Sequence, residues 1–251
     1  MKALHTILAA SLAMTHVGMA QEDGKHLFIL SGQSNMFHMK PSENFVPAVQ
    51  KAFGKENIII ASTSKRGAPI RNWDKDYVWP EGRSIPQGRA RPGKEKKTRE
   101  QFVGNFGNLY DKLWNSIEKN TAGKSVKTVT LVWMQGESDS GPEGVKQYFE
   151  SFDRVVARLK GDLGVNSINI VIGRLSDYGL ERKQKESWSK LRDLQVQYCE
   201  QRDHCEWVNT DDLNDGSRGN DLHYTKEGYD LLGQRFAEKA IALIKKQQAA
   251  N

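Results

Sequence analysis

The apolar residues follow two patterns along the chain. Short continuous runs, typical of buried strands, alternate with longer stretches in which apolar residues recur every three or four positions. The runs predict strands at His26–Ser31, Asn57–Thr63, Thr128–Met134, Ile168–Leu175 and Glu206–Asn209. The longer stretches predict helices at Pro47–Phe53, Gly107–Lys119, Gly144–Leu163, Gln184–Arg202 and Lys226–Lys246. This alternation predicts βαβ crossovers, so we expect an α/β fold with a parallel sheet covered on both faces.

One region departs from this alternation. Residues 71–101 are rich in glycine, proline and basic residues, and a stretch of about thirty residues is longer than an ordinary connection. Its basic residues are Arg71, Lys75, Arg83, Arg89, Arg91, Lys94, Lys96, Lys97 and Arg99. We expect a basic insert, either near a site or partly disordered, within a single domain that spans residues 21–251.

The first twenty residues differ in composition from the rest. Lys2 is followed by the mainly apolar stretch Ile7–Val17, and Gly18 and Ala20 are small residues at the −3 and −1 positions of a cleavage site. This pattern predicts a signal peptide that is cleaved after Ala20, and the apolar stretch is too short to span a bilayer. We therefore expect a secreted or periplasmic protein without stable membrane insertion.

The net charge of +6 and the pI near 9.2 do not by themselves indicate a nucleic-acid-binding protein. Because the basic residues between 83 and 99 are concentrated in one segment, they indicate a solvated loop rather than a nucleic-acid surface. In an exported protein, the expected polyanionic partner is an acidic glycan.

Two cysteines, Cys199 and Cys205, complete the compositional signals. An oxidising compartment permits a disulfide between them, and we favour this bridge over two free buried thiols. Together with His204 they lack the spacing of a zinc site, so no metal site is predicted.

Candidate chemistry collects where the predicted strands end, which is the edge at which open parallel sheets bind ligands. Gly32 permits a sharp turn after the first strand, and Ser34 would then lie at the edge of the sheet, where a helix begins. The residues that follow the other strands include Gly67, Gln135, Arg174, Asp177 and His223. A serine, amide donors and a histidine at one edge indicate an acyl-transfer site.

Several of these residues also have a purely structural interpretation. Ser34 could be only a helix N-cap, which stabilises a helix by about 1 kcal/mol. Arg174, Asp177, Trp73 and Trp79 either line the pocket or serve packing and the surface.

Three motifs together resemble a known family. Gly-Gln-Ser-Asn-Met at residues 32–36, Gln-Gly-Glu-Ser-Asp at 135–139 and Asp-Leu-His at 221–223 are similar to the motif blocks of SGNH hydrolases. The similarity is greatest to the branch with sialate O-acetylesterase-like domains and the carbohydrate esterases of family 6. It implies a three-layer α/β/α sandwich around a mainly parallel, five-stranded sheet of the flavodoxin type, and no metal or organic cofactor.

The resemblance also implies a role for each matching residue. Ser34 would be the nucleophile, His223 the general base and Asp221 the acid that orients His223. The main-chain N–H groups of Ser34 and Gly67 and the side-chain amide of Gln135 would form the oxyanion hole. Glu137, Asn35 and Asn220 would support these groups from behind, with Glu137 bracing the Ser34 turn.

The chain departs from the family pattern beside the histidine. SGNH hydrolases usually have the aspartate three residues before the histidine, whereas here Asn220 occupies that position and Asp221 is two residues before His223. Asp221, Asn220 or a main-chain carbonyl could orient the imidazole, and we prefer Asp221. The alternative role for Asp221 is a cap of the last helix.

These observations predict a secreted serine esterase that removes O-acetyl groups from a carbohydrate, such as acetylated xylan or sialic acid, through an acetyl-serine intermediate. One alternative is a non-catalytic module that binds acidic glycans through the basic insert and the tryptophans Trp73 and Trp79. The other is an SGNH lipase or thioesterase, which would accept longer acyl chains.

Overall fold

A computed structural model of the protein describes residues 24–85, 98–216 and 219–250, with the backbone alone at 215–216 and 219–220. The predicted signal peptide and residues 86–97 of the predicted insert lie outside these ranges. A five-stranded parallel sheet forms the centre, in the order β2-β1-β3-β4-β5. The strands are β1 (Lys25–Gly32), β2 (Ile58–Ser64), β3 (Val126–Met134), β4 (Asn169–Gly173) and β5 (Cys205–Val208). This is the flavodoxin-type order, and the five predicted strands are confirmed.

Helices cover both faces of the sheet. They are α1 (Ser34–His38), α2 (Phe45–Phe53), α3 (Arg99–Val103), α4 (Asn108–Thr121), α5 (Pro142–Leu163), α6 (Lys185–Glu200) and α7 (Lys226–Ala249). The five long predicted helices are confirmed, whereas α3 and the short hairpin of β6 (Asp215–Gly216) and β7 (Gly219–Asn220) were not predicted. Such short elements carry too few residues to show a period.

Alternation along β1 explains the three layers. Leu27 and Ile29 pack with the apolar faces of α4, α5 and α6, whereas Phe28 and Leu30 pack with α2 and α7. The sheet is therefore buried on both sides, as its near-continuous apolar runs require, and the molecule is a three-layer α/β/α sandwich.

The described part of the predicted insert is irregular between residues 74 and 85, but two tryptophans anchor it in the interior. Trp73 is fully buried, donates from Nε1 to Ser31 Oγ (3.0 Å) and packs edge-to-face against Trp133. Trp79 is also buried and packs edge-to-face against Phe102 of α3. These tryptophans belong to the interior, so neither lines a pocket nor is available to hold a glycan, and that part of the prediction is wrong.

Cys199, near the end of α6, and Cys205, at the start of β5, form the disulfide that the sequence favoured. Within the described ranges, no helix is both long and apolar enough to cross a membrane.

Candidate active site

The candidate site begins where β1 leaves the sheet, beside the end of β3. Gly32 has a φ of +151°, and a Cβ at this position would overlap the main-chain carbonyl of Met134 on the neighbouring strand. The next N–H, of Gln33, donates to that same carbonyl oxygen (2.9 Å). Because β1 lies between β2 and β3, the chain turns out at the point where the winding direction changes, which is where flavodoxin-type sheets bind ligands.

Ser34 is the first residue of α1 and is 6% exposed. The N-cap of this helix is Gln33, which makes no side-chain capping bond, so the interpretation of Ser34 as a helix cap is wrong. Phe37 and His38 follow three and four residues later and therefore lie on the same face of the helix as Ser34. Ser34 therefore lies at the edge of the sheet, at the start of the short helix α1.

His38 connects this face to the predicted base. The rings of His38 and His223 meet edge-to-face with centroids 5.3 Å apart, so the imidazole of His223 lies on the Ser34 side of α1. No hydrogen bond joins Ser34 to His223 in the described part of the chain.

His223 is exposed on the loop that precedes α7, and a buried asparagine holds this loop from one side. Asn214 donates from Nδ2 to the carbonyl oxygen of Asp221 (2.8 Å) and to Asp177 Oδ1 (2.9 Å). Asp177, which the sequence suggested as a pocket residue, therefore supports the histidine loop. Arg174, which the sequence also suggested as a pocket residue, forms an ion pair with Asp211 (2.6 Å).

A second buried asparagine holds the loop from the Ser34 side. Asn35 donates from Nδ2 to the carbonyl oxygen of Leu222 (3.2 Å) and to Glu137 Oε1 (2.9 Å), and its Oδ1 accepts from the Tyr229 hydroxyl (3.0 Å). Asn35 and Asn214 thus have the same arrangement. The side-chain amide of each donates to one carboxylate and to one main-chain carbonyl of the His223 loop, and the two carbonyls belong to consecutive residues. We call these two contacts the asparagine bridges.

The orientation of the imidazole itself is less defined. Within the described residues, Asp221 makes no hydrogen bond or ion pair with His223, and the side chain of Asn220 lies outside the description. Asp221 does not cap α7 either, because Thr225 is the N-cap and its Oγ1 accepts from Gly228 N (2.9 Å). The capping role is therefore wrong, and the orienting role stays a prediction.

Gln135 differs from its predicted role in the oxyanion hole. Its side chain is fully buried, and Nε2 donates to Asp139 Oδ2 (2.6 Å), Gln33 Oε1 (3.2 Å) and Ala68 O (3.2 Å). Its N–H groups are therefore occupied by protein acceptors and do not face a substrate. In this structure Gln135 joins the ends of β1, β2 and β3 to one another, because its burial between them leaves no open side.

Gly67, the other predicted donor, lies in the exposed turn after β2 with a φ of +64°. Ala68 N donates to Lys65 O (3.2 Å), which closes the turn, and among the described residues no acceptor binds the Gly67 N–H. The contact between Gln135 and Ala68 O ties this turn to the rim that carries Ser34. The Gly67 N–H is therefore available to an incoming acceptor.

Two carboxyl groups beneath the rim have perturbed pKa values. Burial raises the pKa of Glu137 to about 7, against a smaller lowering by hydrogen bonds from a main-chain N–H and Asn35. Burial also raises the pKa of Asp139 to about 6, against the lowering effect of hydrogen bonds from Gln135 and Ile70 N. Such shifts are frequent at functional sites. No cluster of three or more potential metal ligands occurs among the described residues.

The sequence assigned no role to His38 or Asn214, nor to Asp139, the last residue of the motif at 135–139. His38 had a usable signal, because a residue four positions after a serine on a helix lies on the serine's face. Asn214 had none, because its partners Asp177 and Asp221 are brought to it only by the packed loops.

Comparison with known proteins supports this fold. Similar solved structures include a protein from Arabidopsis thaliana (18% identity, TM-score 0.60, covering 88% of this chain and 98% of that chain). A carbohydrate acetylesterase from Xanthomonas citri is also similar (16% identity, TM-score 0.56, covering 86% of this chain and 56% of that chain). So is a carbohydrate acetylesterase family member from Sinorhizobium meliloti (11% identity, TM-score 0.50, covering 88% of this chain and 99% of that chain). At these identities they support the fold. No curated protein gives a significant match.

The family-level match extends over most of the chain. The model of the family described as "Carbohydrate esterase, sialic acid-specific acetylesterase" matches residues 37–242. This range includes the predicted glycine, glutamine and histidine of the site and begins just after Ser34. The chain therefore belongs to this carbohydrate esterase family and is a carboxylic ester hydrolase.

Proposed function

We propose that this esterase is a secreted or periplasmic enzyme that removes O-acetyl groups from a carbohydrate, with Ser34 as nucleophile and His223 as general base. The observation that carries the proposal is the contact of His223 with His38, four residues after Ser34 on the same face of α1. The three-layer fold, the position of Ser34 at the switch point and the family membership support it.

The proposed reaction has two halves. Ser34 Oγ attacks the acetyl carbonyl while His223 takes the hydroxyl proton, and the tetrahedral intermediate then expels the sugar oxygen, which receives that proton from His223. The acetyl group is left on Ser34. Water then loses a proton to His223 as it attacks this ester, and acetate leaves with restoration of the Ser34 hydroxyl.

The oxyanion of each tetrahedral intermediate would be bound by main-chain donors. The N–H groups of Ser34 and Gly67 are proposed for this role, because neither is bonded to an acceptor in the described part of the chain. One such donor contributes roughly 3 kcal/mol to transition-state stabilisation. Gln135 would act through its contacts with Gln33 and Ala68, which set the spacing between the two donors.

The test is acetate release from acetylated xylan, acetylated sialic acid and p-nitrophenyl acetate. Ser34→Ala should lower kcat by at least about a thousandfold, because the covalent route is lost. Ser138→Ala, which changes an exposed serine of the same rim, is the matched control and should keep wild-type turnover. Equal rates for wild type and Ser34→Ala would refute the proposal, and a preference for long-chain nitrophenyl esters would favour a lipase or thioesterase.

Export is part of the proposal. Its support is the composition of residues 1–20 and the Cys199–Cys205 disulfide, since disulfides persist in oxidising compartments. The exported protein should begin at Gln21, which N-terminal sequencing would determine. A mature chain that retains Met1 would contradict the signal-peptide assignment.

A further inference from the structure

One aromatic side chain beside Ser34 is not buried. Phe37 is 49% exposed, and among the described residues only Val78 and Val103 are also large, apolar and exposed. Because Phe37 follows Ser34 by three residues in α1, it lies on the Ser34 face of the helix. Because half of this aromatic side chain faces solvent at the proposed catalytic rim, it is a candidate contact for a ligand.

Arg66 lies over this ring. Its Cζ is 4.8 Å from the centroid of Phe37, so the guanidinium is within cation–π distance of the aromatic face. Arg66 directly precedes Gly67, the proposed oxyanion donor. The pair of Phe37 and Arg66, here called the rim platform, therefore adjoins both the nucleophile and the place where the acyl carbonyl would bind.

The charge of Arg66 is not neutralised by the protein. Among the described residues Arg66 forms no ion pair or hydrogen bond, whereas the nearby Lys40 and Lys226 pair with Glu43 and Asp230. When a guanidinium stacks on an aromatic ring, the ring covers one of its flat faces. The N–H groups along its edge remain free to donate to a planar acceptor with two oxygen atoms. A carboxylate has this shape and the opposite charge.

The electrostatics of the rim agree with this placement. The pKa of His38 is lowered mainly by burial, with further lowering by the nearby His223 and Arg66. Arg66 therefore acts on the same histidine that contacts the proposed base. An anionic group bound at Arg66 would thus lie within the site rather than on a remote surface.

We propose that the rim platform binds the sugar ring of an O-acetylated acidic sugar, with Phe37 against an apolar face of the ring and Arg66 paired with its carboxylate. The inference rests on the proposed function, because the acetyl ester of the same sugar must reach Ser34. Side chains three residues apart on a helix are about 5–6 Å apart at Cβ, which suits an acetyl group and the ring that carries it.

The test uses one substrate in two charge states, O-acetylated N-acetylneuraminic acid and its methyl ester. Wild type should have a kcat/KM about fivefold higher for the acid, the size expected for one solvent-exposed charged contact. Arg66→Gln should reduce this ratio to about one, mainly through a higher KM for the acid. Phe37→Leu should raise KM for both substrates. Lys65→Gln, which removes the adjacent exposed charge, is the matched control and should keep the wild-type ratio.

Direct binding separates this inference from the proposed function. Calorimetric titration of N-acetylneuraminic acid into Ser34→Ala, with and without Arg66→Gln, needs no turnover. Binding that is lost with Arg66→Gln supports the rim platform even if the wild type hydrolyses no acetyl ester. Hydrolysis of the acid and the methyl ester at equal efficiency would overturn the platform and leave the proposed function intact. Discrimination that Arg66→Gln retains would also overturn it.

Discussion

The two halves of the candidate site are built by different means: the nucleophile half carries Ser34, the proposed nucleophile, and the base half carries His223, the proposed base. Ser34 follows directly from β1, and Gly32 and Gln33 fix its turn through a steric requirement and a main-chain hydrogen bond to Met134. His223 lies on an exposed loop whose carbonyls are held by the side chains of Asn35 and Asn214. The first half is positioned by the sheet, and the second by buried amides.

This difference predicts which property a mutation in each half would affect. A change at the end of β1 alters the central strand pair of the sheet, so it should act on folding as well as on catalysis. A change in an asparagine bridge leaves the sheet intact and moves only the loop. The base half is therefore the place where position and stability can be separated by mutation, and Asp221 is the first residue to examine there.

Asp221→Asn should have the largest effect of the variants that distinguish the halves. If the carboxylate orients His223 in the substrate complex, its loss should lower kcat by about a hundredfold or more with little change in KM, as in serine hydrolases that lose this group. Steady-state kinetics on acetylated sialic acid would measure it. Asp203→Asn, an almost fully exposed carboxylate, is the control. A loss below threefold would mean that the loop contacts alone orient the imidazole.

The sequence predicted the nucleophile half well because local patterns determine it. A continuous apolar run followed by Gly-Gln-Ser-Asn specifies a buried strand, a sharp exit and a helix start within ten residues, and each of these is present. The helix periods were equally local, so α4, α5, α6 and α7 were found with small errors at their ends.

The remaining features depend on contacts between distant segments. The sequence left open whether Trp73 lines the pocket, packs in the interior or lies at the surface, and its contacts with Ser31 and Trp133 show that it packs in the interior. Gln135 reads as a donor to a substrate, yet Gln33 and Asp139 occupy its amide. No period or local motif encodes such partners, since they follow from how the loops pack at the sheet edge.

Asn214→Ala should have a smaller effect, confined to the base half. The variant loses donation to Asp177 and to the Asp221 carbonyl, so we expect kcat to fall about tenfold, and the unfolding free energy to fall by about 1–3 kcal/mol. Kinetics and urea denaturation measure the two quantities. Asn44→Ala removes a similar contact with Asp230 (2.8 Å) away from the His223 loop and should lower stability while keeping kcat. Equal kcat values for the two variants would show that Asn214 does not position the His223 loop for catalysis.

Glu137→Gln should have the smallest effect on turnover, and its main result is a change in pH dependence. Burial raises the pKa of Glu137 from 4.5 to about 7, so the folded chain holds a proton in this window that the unfolded chain has released. The contribution of Glu137 to the stability of the wild type should therefore fall as pH rises from about 4.5 to 7, and then level off. Glutamine can still accept the hydrogen bond from Asn35 but does not ionise.

Urea denaturation at pH 5 and pH 8 would measure this effect, because the bridge on the Ser34 side contains Glu137, a carboxyl group with a raised pKa. The unfolding free energy of Glu137→Gln relative to wild type should increase between these pH values, by an amount on the order of 2 kcal/mol. Asp139, whose charge contributes to the raised pKa of Glu137, is present in both proteins. Glu118→Gln, on the exposed face of α4, should show no such increase. Parallel pH profiles for wild type and Glu137→Gln would mean that Glu137 is solvated and does not brace the Ser34 turn from a buried position.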